Sequence, residues 1–516
     1  MNGAGLASGF RNQGLRSLVQ SYERTSYFHA NDDDSPPPVV GSIARPFDPV
    51  GETWQIAAFL QSLRYRKAAK RREISAGSDG SGVSASWAKA DLAPLAGQRV
   101  LVVVENLPVP FDRRVWLEAR ALKAAGADVS VICPKGHGHE GWREDIDGIN
   151  IYRHPLPLEA RGWLGFLLEY GAAIFWQVLL TCWIGLRRGI DVIHGCNPPD
   201  TTFAIAWVAK LWGVKYVFDH HDLSPELFHA KFGKQGVIWR ILCALEKLTF
   251  RIADVSIATN DSYRRIAVER GGKRRDRVFV VRSGPNLSEL QPVEPEERWK
   301  CGRRFLVGYV GVMGAQEGID LLIDAVEHLV VDRGRRDVQF CLVGGGPELA
   351  FLRQLASDRG LADYITFTGR APDRDLRAVL STMDIGVNPD RVNSMNDKST
   401  MNKIMEYMAF GKPIVQFDVT EGRVSAQQAS LYAKHNDPVD LADKIEQLLS
   451  DPVLRQKMGL FGRERVKSKL AWEHQQGNLL DAYRALIADP AGGAGASNTT
   501  QRLSLRGGST PRPGTS

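Results

Sequence analysis

Twice along its length the chain alternates short, wholly apolar runs with longer stretches of helical spacing, and this doubled pattern constrains its fold most. The run RVLVVVE (Arg99–Glu105) is apolar almost throughout, as a parallel strand covered on both faces must be. VWLEARALKAAG follows with helical spacing and a glycine stop, then ADVSVICP as the next strand. DVIHG (Asp191–Gly195), KYVFDHHD (Lys215–Asp222) and ADVSIATN (Ala253–Asn260) continue the series. After a polar stretch at Gln291–Arg304 the pattern restarts with RFLVGYVG, GIDLLIDAVEHL, VQFCLVGGG, ITFTG, DIGVNPD, MNKIMEYMAFG and KPIVQFD. This βαβ alternation predicts an α/β protein of two Rossmann-like, doubly wound domains, over residues 98–290 and 291–488, facing a central cleft. The last helix is free to pack back on the first domain. Ligands of such sheets bind beyond the carboxyl ends of the strands, so both domains present loops to that cleft.

Residues 1–97 carry an Asp32-Asp33-Asp34 run and a Pro36-Pro37-Pro38 run in a Gly/Ser-rich context, and residues 489–516 are Gly/Ser/Thr-rich. Such segments bury too little apolar surface to order themselves and are predicted to be disordered tails. The basic piece Arg64–Arg72 reads either as an exposed helix touching anionic lipid or as a solvated charge run. Six cysteines lack CxxC spacing, which argues against a disulfide framework or zinc site and for a reducing cytosolic interior. Met1–Tyr22 lacks a signal-peptide pattern. A net charge of +7 suits an acidic partner, and with no recognition motif present that partner is not nucleic acid. The stretch Leu164–Leu186 approaches the length of a bilayer span. Glu169 and Gln177 interrupt it, Arg187 and Arg188 follow, and a span there would split one domain. It is expected to be a buried or membrane-skimming helix.

The chemistry-bearing stretch is NKIMEYMAFGKPIV (Asn402–Val415). Ser399 or Thr400 is positioned to cap its helix, Met401, Ile404, Met405 and Met408 form an apolar face, and Gly411 ends it. Its N-terminus offers amides and a positive dipole end to a diphosphate, and Glu406 lies on a different face. Together with FDHHDLSPE (Phe218–Glu226), GGGP (Gly344–Pro347) and TFTGRAP (Thr366–Pro372), it resembles family 4, or group 1, of the retaining glycosyltransferases, over roughly Val100–Ile487. The resemblance implies a GT-B fold and sugar transfer from a nucleotide diphosphate sugar to a glycan or polyprenyl-lipid-linked acceptor. It also implies a setting in envelope or exopolysaccharide biosynthesis, on the cytoplasmic side and peripheral to the inner face of the membrane. It further implies retention of configuration with no cofactor and no metal, and no Asp-x-Asp motif stands convincingly at a strand end.

By the same resemblance His221 and Asp222 stand at the reacting sugar, where a histidine can hold a hydroxyl or carry a proton. A structural histidine is the alternative, and His194 is expected to be a packed core residue. Glu406 would accept from ribose hydroxyls, or else be a solvated carboxylate. Gly344, Gly345 and Gly346 frame the donor and Arg370 reaches the base or lies on the surface. Two departures stand out. GVMGAQEG (Gly311–Gly318) places Val312 and Glu317 where many members carry an Arg/Lys diphosphate clamp, and Lys398 replaces one acid of a Glu-x7-Glu pair. The amides of Gly311 and Gly314 can still approach an oxyanion, with Arg391, Lys398 and Lys403 as replacement cations. Asp112, Arg113 and Arg114 replace the usual glycine-rich acceptor loop and are expected either to bind an anionic acceptor or to form a ligand-free helix start. The departures leave two alternatives open: a sugar-nucleotide epimerase, and a non-catalytic scaffold of the same fold.

Overall fold

The computed structural model describes residues 93–136, 138–155, 163–233 and 235–488. Most of both stretches read as disordered tails, and the basic run Arg64–Arg72, lie outside the described residues. Residues 93–97, assigned to the N-terminal tail by composition, form a turn instead: Leu95 is buried and its amide donates to Ala125 O at 2.9 Å. One well-placed leucine against the end of a helix outweighs the composition around it.

The first sheet has eight strands: β1 (Arg99–Val103), β2 (Asp128–Pro134), β3 (Arg143–Ile146), β4 (Ile149–His154), β5 (Val192–Cys196), β6 (Lys215–His220), β7 (Val255–Ala258) and β8 (Val278–Val280). Their order is β3-β4-β2-β1-β5-β6-β7-β8, parallel throughout except at β3–β4. That hairpin turns through Asp147 and Gly148, with φ of 55° and 75°, the positive values a tight two-residue hairpin demands. The second sheet comprises β9 (Phe305–Val310), β10 (Val338–Val343), β11 (Ile365–Gly369), β12 (Ile385–Asn388), β13 (Ile414–Phe417) and β14 (Ser430–Ala433), all parallel in the order β11-β10-β9-β12-β13-β14.

Both faces of each sheet are covered, which is why the strands read as unbroken apolar runs. In the first domain Val100, Val102 and Val131 pack under the helix Arg113–Ala124, and Leu101, Ile193 and Phe218 pack on the opposite side under the helices Trp163–Arg187, Thr202–Lys210 and Val237–Ile252. The helix Trp472–Ala488 follows the second domain in sequence yet lies on the first sheet, where Leu479, Tyr483 and Leu486 join the core of Val100 and Val131. The Trp163–Arg187 helix packs on the sheet through Leu180 and Ile184 and through Gln177, which donates to Glu105 at 2.8 Å. Among the described residues no helix is long and apolar enough to cross a membrane.

Candidate active site

A cavity lies between the carboxyl ends of the two sheets, lined from both domains. On the second-domain side it meets the helix Asn402–Ala409. Met401 is the residue at the N-cap and no side chain caps the first turn. The two capping candidates are engaged elsewhere: Ser399 Oγ donates to Met395 O (2.9 Å), and Thr400 Oγ1 accepts from Asn260 Nδ2 (2.9 Å). An uncapped helix start with its positive dipole end faces the cavity rim.

Lys403 and Glu406, one helical turn apart, both line the cavity. Glu406 is 5% exposed; Oε1 accepts from Arg113 Nη1 at 3.2 Å, across the cleft, and Oε2 has no hydrogen-bond partner. Burial raises its pKa, against the pull of Arg113 and Lys403. Lys403 Nζ is 2.7 Å from Asp390 Oδ1, both side chains buried, and 4.8 Å from the centre of the Tyr309 ring. An added Cβ at Gly311 would come 3.3 Å from Lys403 Cε, so the lysine stem runs against the glycine turn. Glu317 closes that turn on itself, accepting from Gly314 N at 3.1 Å; burial, with Asp390 beside it, pushes its carboxyl up to about 7.

These contacts correct several expectations. The amides of Gly311 and Gly344 donate to Val343 O and Gly369 O, and that of Gly314 to Glu317, so none is left for a phosphate. Gly344 and Gly346 serve close packing: a Cβ there would sit 1.8 Å from Gly311 O and 2.1 Å from Met313 O. Neither they nor Gly345 line the cavity; Val312, Gln316 and Glu317 do. Arg391 pairs with Asp320, Lys398 Nζ donates to Ser394 O (2.9 Å), and Arg370 lies over the Phe111 ring of the first domain (5.2 Å), all outside the cavity lining.

On the first-domain side His221 and Asp222 line the cavity. Asn197, just past β5, holds their loop: Oδ1 accepts from His221 N (2.6 Å) and Asp222 N (3.2 Å), and Nδ2 donates to Asp222 O (2.8 Å). His221 Nε2 lies 2.5 Å from Asp219 Oδ2. Asp219 also accepts from Arg114 (2.9 Å), which reaches Glu118 (3.0 Å), Val281 O (2.8 Å) and Ser283 Oγ (3.0 Å). Beneath them His194 Nε2 is 3.4 Å from Asp219 and 3.5 Å from Glu118, and Nδ1 meets Tyr483 Oη at 2.9 Å. His194 is thus buried, as expected, but within a polar network rather than an apolar core.

Burial alone would raise Asp219, yet Arg114 and His221 outweigh it and hold its carboxyl well below the usual range. For Glu118 burial prevails, reinforced by Asp219, and holds it well above. The two buried acids therefore share one proton and one arginine. With Asp219 ionised, His221 Nε2 carries the hydrogen and Nδ1 is the ring's other functional nitrogen. His194, Cys196 and Asp219, or Glu118, Asp219 and His221, bring metal-capable atoms together, but Arg114 already supplies their counter-charge.

This corrects the acceptor triplet. Arg114 is buried and fully committed. Asp112 is the N-cap of its helix, accepting from Val115 N at 3.1 Å, with burial raising its pKa against the opposing pull of its surroundings. Arg113 reaches across the cleft to Glu406 on the second domain.

Two family models match the chain: the glycosyl transferase 4-like domain over residues 112–284, and glycosyl transferases group 1 over residues 304–451. The chain belongs to the group 1 glycosyltransferases. The 2-deoxystreptamine glucosyltransferase of Streptomyces kanamyceticus is 25% identical over 391 residues, 72% of this chain and 97% of that protein. The GDP-mannose-dependent alpha-(1-6)-phosphatidylinositol monomannoside mannosyltransferase of Mycobacterium tuberculosis is 29% identical over 196 residues, 37% of this chain and 50% of that one. Among solved structures, sucrose-phosphate synthase from Thermosynechococcus elongatus superposes with a TM-score of 0.62 at 21% identity, covering 76% of this chain and 99% of its own. Anabaena Alr3699/HepE in complex with UDP and glucose superposes at 0.58 and 16%, covering 75% and 100%. The fold of this glycosyltransferase is therefore GT-B. Its site holds residues that motif reading missed. Asp219 stands two residues before His221 in KYVFDHHD, a buried charge at the end of an apolar strand, which was a usable signal. Asn197 and Asp390 reach the site only through the fold.

Proposed function

We propose that this glycosyltransferase moves a sugar from a nucleoside diphosphate sugar to a glycan or lipid-linked acceptor in envelope polysaccharide assembly, with retention and without a metal. The observation that carries this reading is Glu406, a buried carboxylate with one unpartnered oxygen beside an uncapped helix start, opposite His221 across the cavity. In this reading the ribose hydroxyls donate to Glu406, and the diphosphate lies at the start of the Asn402–Ala409 helix. The cavity's arginine and lysine side chains, among the described residues, are Arg113, Arg114 and Lys403. With Arg114 committed to Asp219, Arg113 and Lys403 serve the phosphates in place of the missing clamp. His221, held by Asp219, faces the donor sugar. The acceptor oxygen forms its bond to the anomeric carbon on the face from which the diphosphate departs, and the departing phosphate oxygen takes the acceptor's proton. The protein contributes orientation and stabilisation of the leaving charge. The mycobacterial relative's name includes a phosphatidylinositol acceptor, which favours a lipid-linked acceptor and work at a membrane face.

Thermal shift against UDP, GDP, ADP and dTDP tests the donor half, with Glu406→Ala alongside. One diphosphate is expected to stabilise the wild type, by about 2.7 kcal/mol at a hundredfold excess over Kd, and to leave the variant unmoved. No shift with any diphosphate refutes the donor site.

A further inference from the structure

The start of the Asn402–Ala409 helix is kept uncapped by the first domain. Ser399 and Thr400 directly precede its N-cap residue, Met401, and both are residue types that bond the free amides of a helix start. One short element of the other domain engages each of them. Past the carboxyl end of β7, Asn260 and Tyr263 open the helix Asp261–Glu269. Tyr263 Oη stands 3.3 Å from Ser399 Oγ. Asn260 Nδ2 donates to Lys398 O at 2.7 Å and to Thr400 Oγ1 at 2.9 Å.

Asn260 is buried and works at both ends of its side chain. While Nδ2 crosses to the second domain, Oδ1 accepts from Tyr263 N at 2.8 Å and caps its own helix. A cap needs only an acceptor. Among the usual N-cap residues asparagine alone adds a nitrogen with two hydrogens to donate, and here both go to the second domain. Beside it Ser262 Oγ donates to Glu421 Oε1 at 2.7 Å, so Asn260 is not the sole tie between the domains at this turn. An uncapped helix start alone marks no ligand. Here two side-chain atoms shut off from solvent, Glu406 Oε2 and Asn402 Oδ1, have no hydrogen-bond partner, and both residues line the cavity.

We propose that Asn260 is a positioning residue for the donor diphosphate: by holding Lys398 O and Thr400 Oγ1 it keeps Thr400 from capping the helix, so the first amides stay open to phosphate oxygens. Released, Thr400 would cap a helix begun one residue earlier, and the amides then in its reach are those of Asn402 and Lys403. A phosphate at the helix start needs the same amides. Asn260 is not among the residues that line the cavity and acts through Thr400. The proposal rests on the reading of this helix start as the diphosphate site. It adds, beside Arg113, a second contribution of the first domain to nucleotide binding.

Calorimetric titration of the full chain with UDP, GDP, ADP and dTDP tests it, on the wild type, Asn260→Ser, Thr400→Val and the double variant. Serine keeps a cap on the Asp261–Glu269 helix but is too short to reach Thr400, and valine has the shape of threonine without a hydroxyl to cap. Asn260→Ser is expected to weaken binding of the preferred diphosphate about fivefold, the strength of one helix cap. In the Thr400→Val chain the same change should alter affinity by less than about twofold. A merely structural role gives equal losses in both backgrounds; that result, or unchanged affinity in Asn260→Ser, overturns the proposal. Hydrogen exchange at the Asn402 and Lys403 amides, without nucleotide, reads the cap itself. It should be slower in Asn260→Ser than in the wild type and return to the wild-type rate in the double variant, and equal exchange in all chains overturns the proposal. Should Asn260→Ser not fold, Asn260→Gly, also tolerated at a cap, takes its place. A wild type that binds no diphosphate defeats the donor reading and this proposal with it, whereas wild-type binding with either negative result defeats this proposal alone.

Discussion

Replacing Asp219 with Asn and Glu118 with Gln should have very different costs, although both acids are wholly buried and touch the same arginine. Asp219 is the ionised partner of Arg114 at 2.9 Å and of His221 at 2.5 Å. Breaking a buried pair from one side typically costs about 3–5 kcal/mol. Part is recovered because Glu118, 3.0 Å from the same guanidinium, ionises once Asp219 is neutral, so we expect about 2–4 kcal/mol for Asp219→Asn. Glu118 is the protonated member, held so by burial and by Asp219. An amide is a neutral group of the same shape, and Glu118→Gln should cost less than about 1 kcal/mol. Urea unfolding at neutral pH reads the difference, as a midpoint shift of about 1 M for Asp219→Asn at an m-value of about 2–3 kcal/mol/M. Loss of the aspartate also frees the His221 ring, so transfer should fall about a hundredfold while nucleotide diphosphate still binds. Equal costs for the two variants, or the reverse order, would refute the assignment of the proton to Glu118.

Gly344→Ala sets a Cβ 1.8 Å from Gly311 O at a φ of +142°, and since both obstacles are backbone it should cost about 3 kcal/mol or more; a denaturation midpoint within error of wild type contradicts the packing argument. Arg113→Ala should weaken nucleotide diphosphate binding about tenfold by calorimetry, a charge-assisted contact less the pair that the partly exposed Arg113 gives up with buried Glu406, and unchanged affinity returns Arg113 to the acceptor. Glu317, pushed up to about 7, has a folded pKa above its ordinary value. Its stabilising effect is present at mildly acid pH and lost as pH rises through 7. Diphosphate affinity should fall over the same window as the carboxylate ionises, and Glu317→Gln should remove both trends relative to wild type.

The fold was legible because buried parallel strands leave no choice of residue type: RVLVVVE and VQFCLV are apolar for the same two-sided reason. The β3–β4 hairpin also has its signal in Asp147-Gly148, the two positive-φ residues that its turn requires. The site was legible only where one helix or one strand end carries it. Lys403 and Glu406 are neighbours on a helix, and His221 directly follows a strand, so the motifs that carry the family resemblance placed them together. The glycine turns misled because a glycine that lets a phosphate approach and one that lets another backbone approach look identical in sequence; Gly344 against Gly311 is the second kind. The acceptor triplet misled for a related reason. Asp112, Arg113 and Arg114 are consecutive and seemed one cluster, but successive helical positions point about 100° apart. One caps, one crosses the cleft and one turns inward.

What remains unreadable from any local pattern is the support beneath His221. It joins Asp219 at a strand end to Arg114 and Glu118 on the first helix, and then through His194 to Tyr483 on the last. Tyr483 is carried on a helix that the second domain sends back across the first sheet. Trp472, which opens that helix, also lines the cavity, and its amide donates to Pro285 O at 3.0 Å, in the segment that leaves the first domain. The same helix therefore closes the floor of the first domain and touches the cleft the two domains share. The Tyr483–His194 contact beneath the site and the Arg113–Glu406 pair across it are thus two separate points at which the second half of the chain meets the first domain. His221 is in this way tied to the second half of the chain by packing beneath it as well as by the Arg113–Glu406 pair across the cavity.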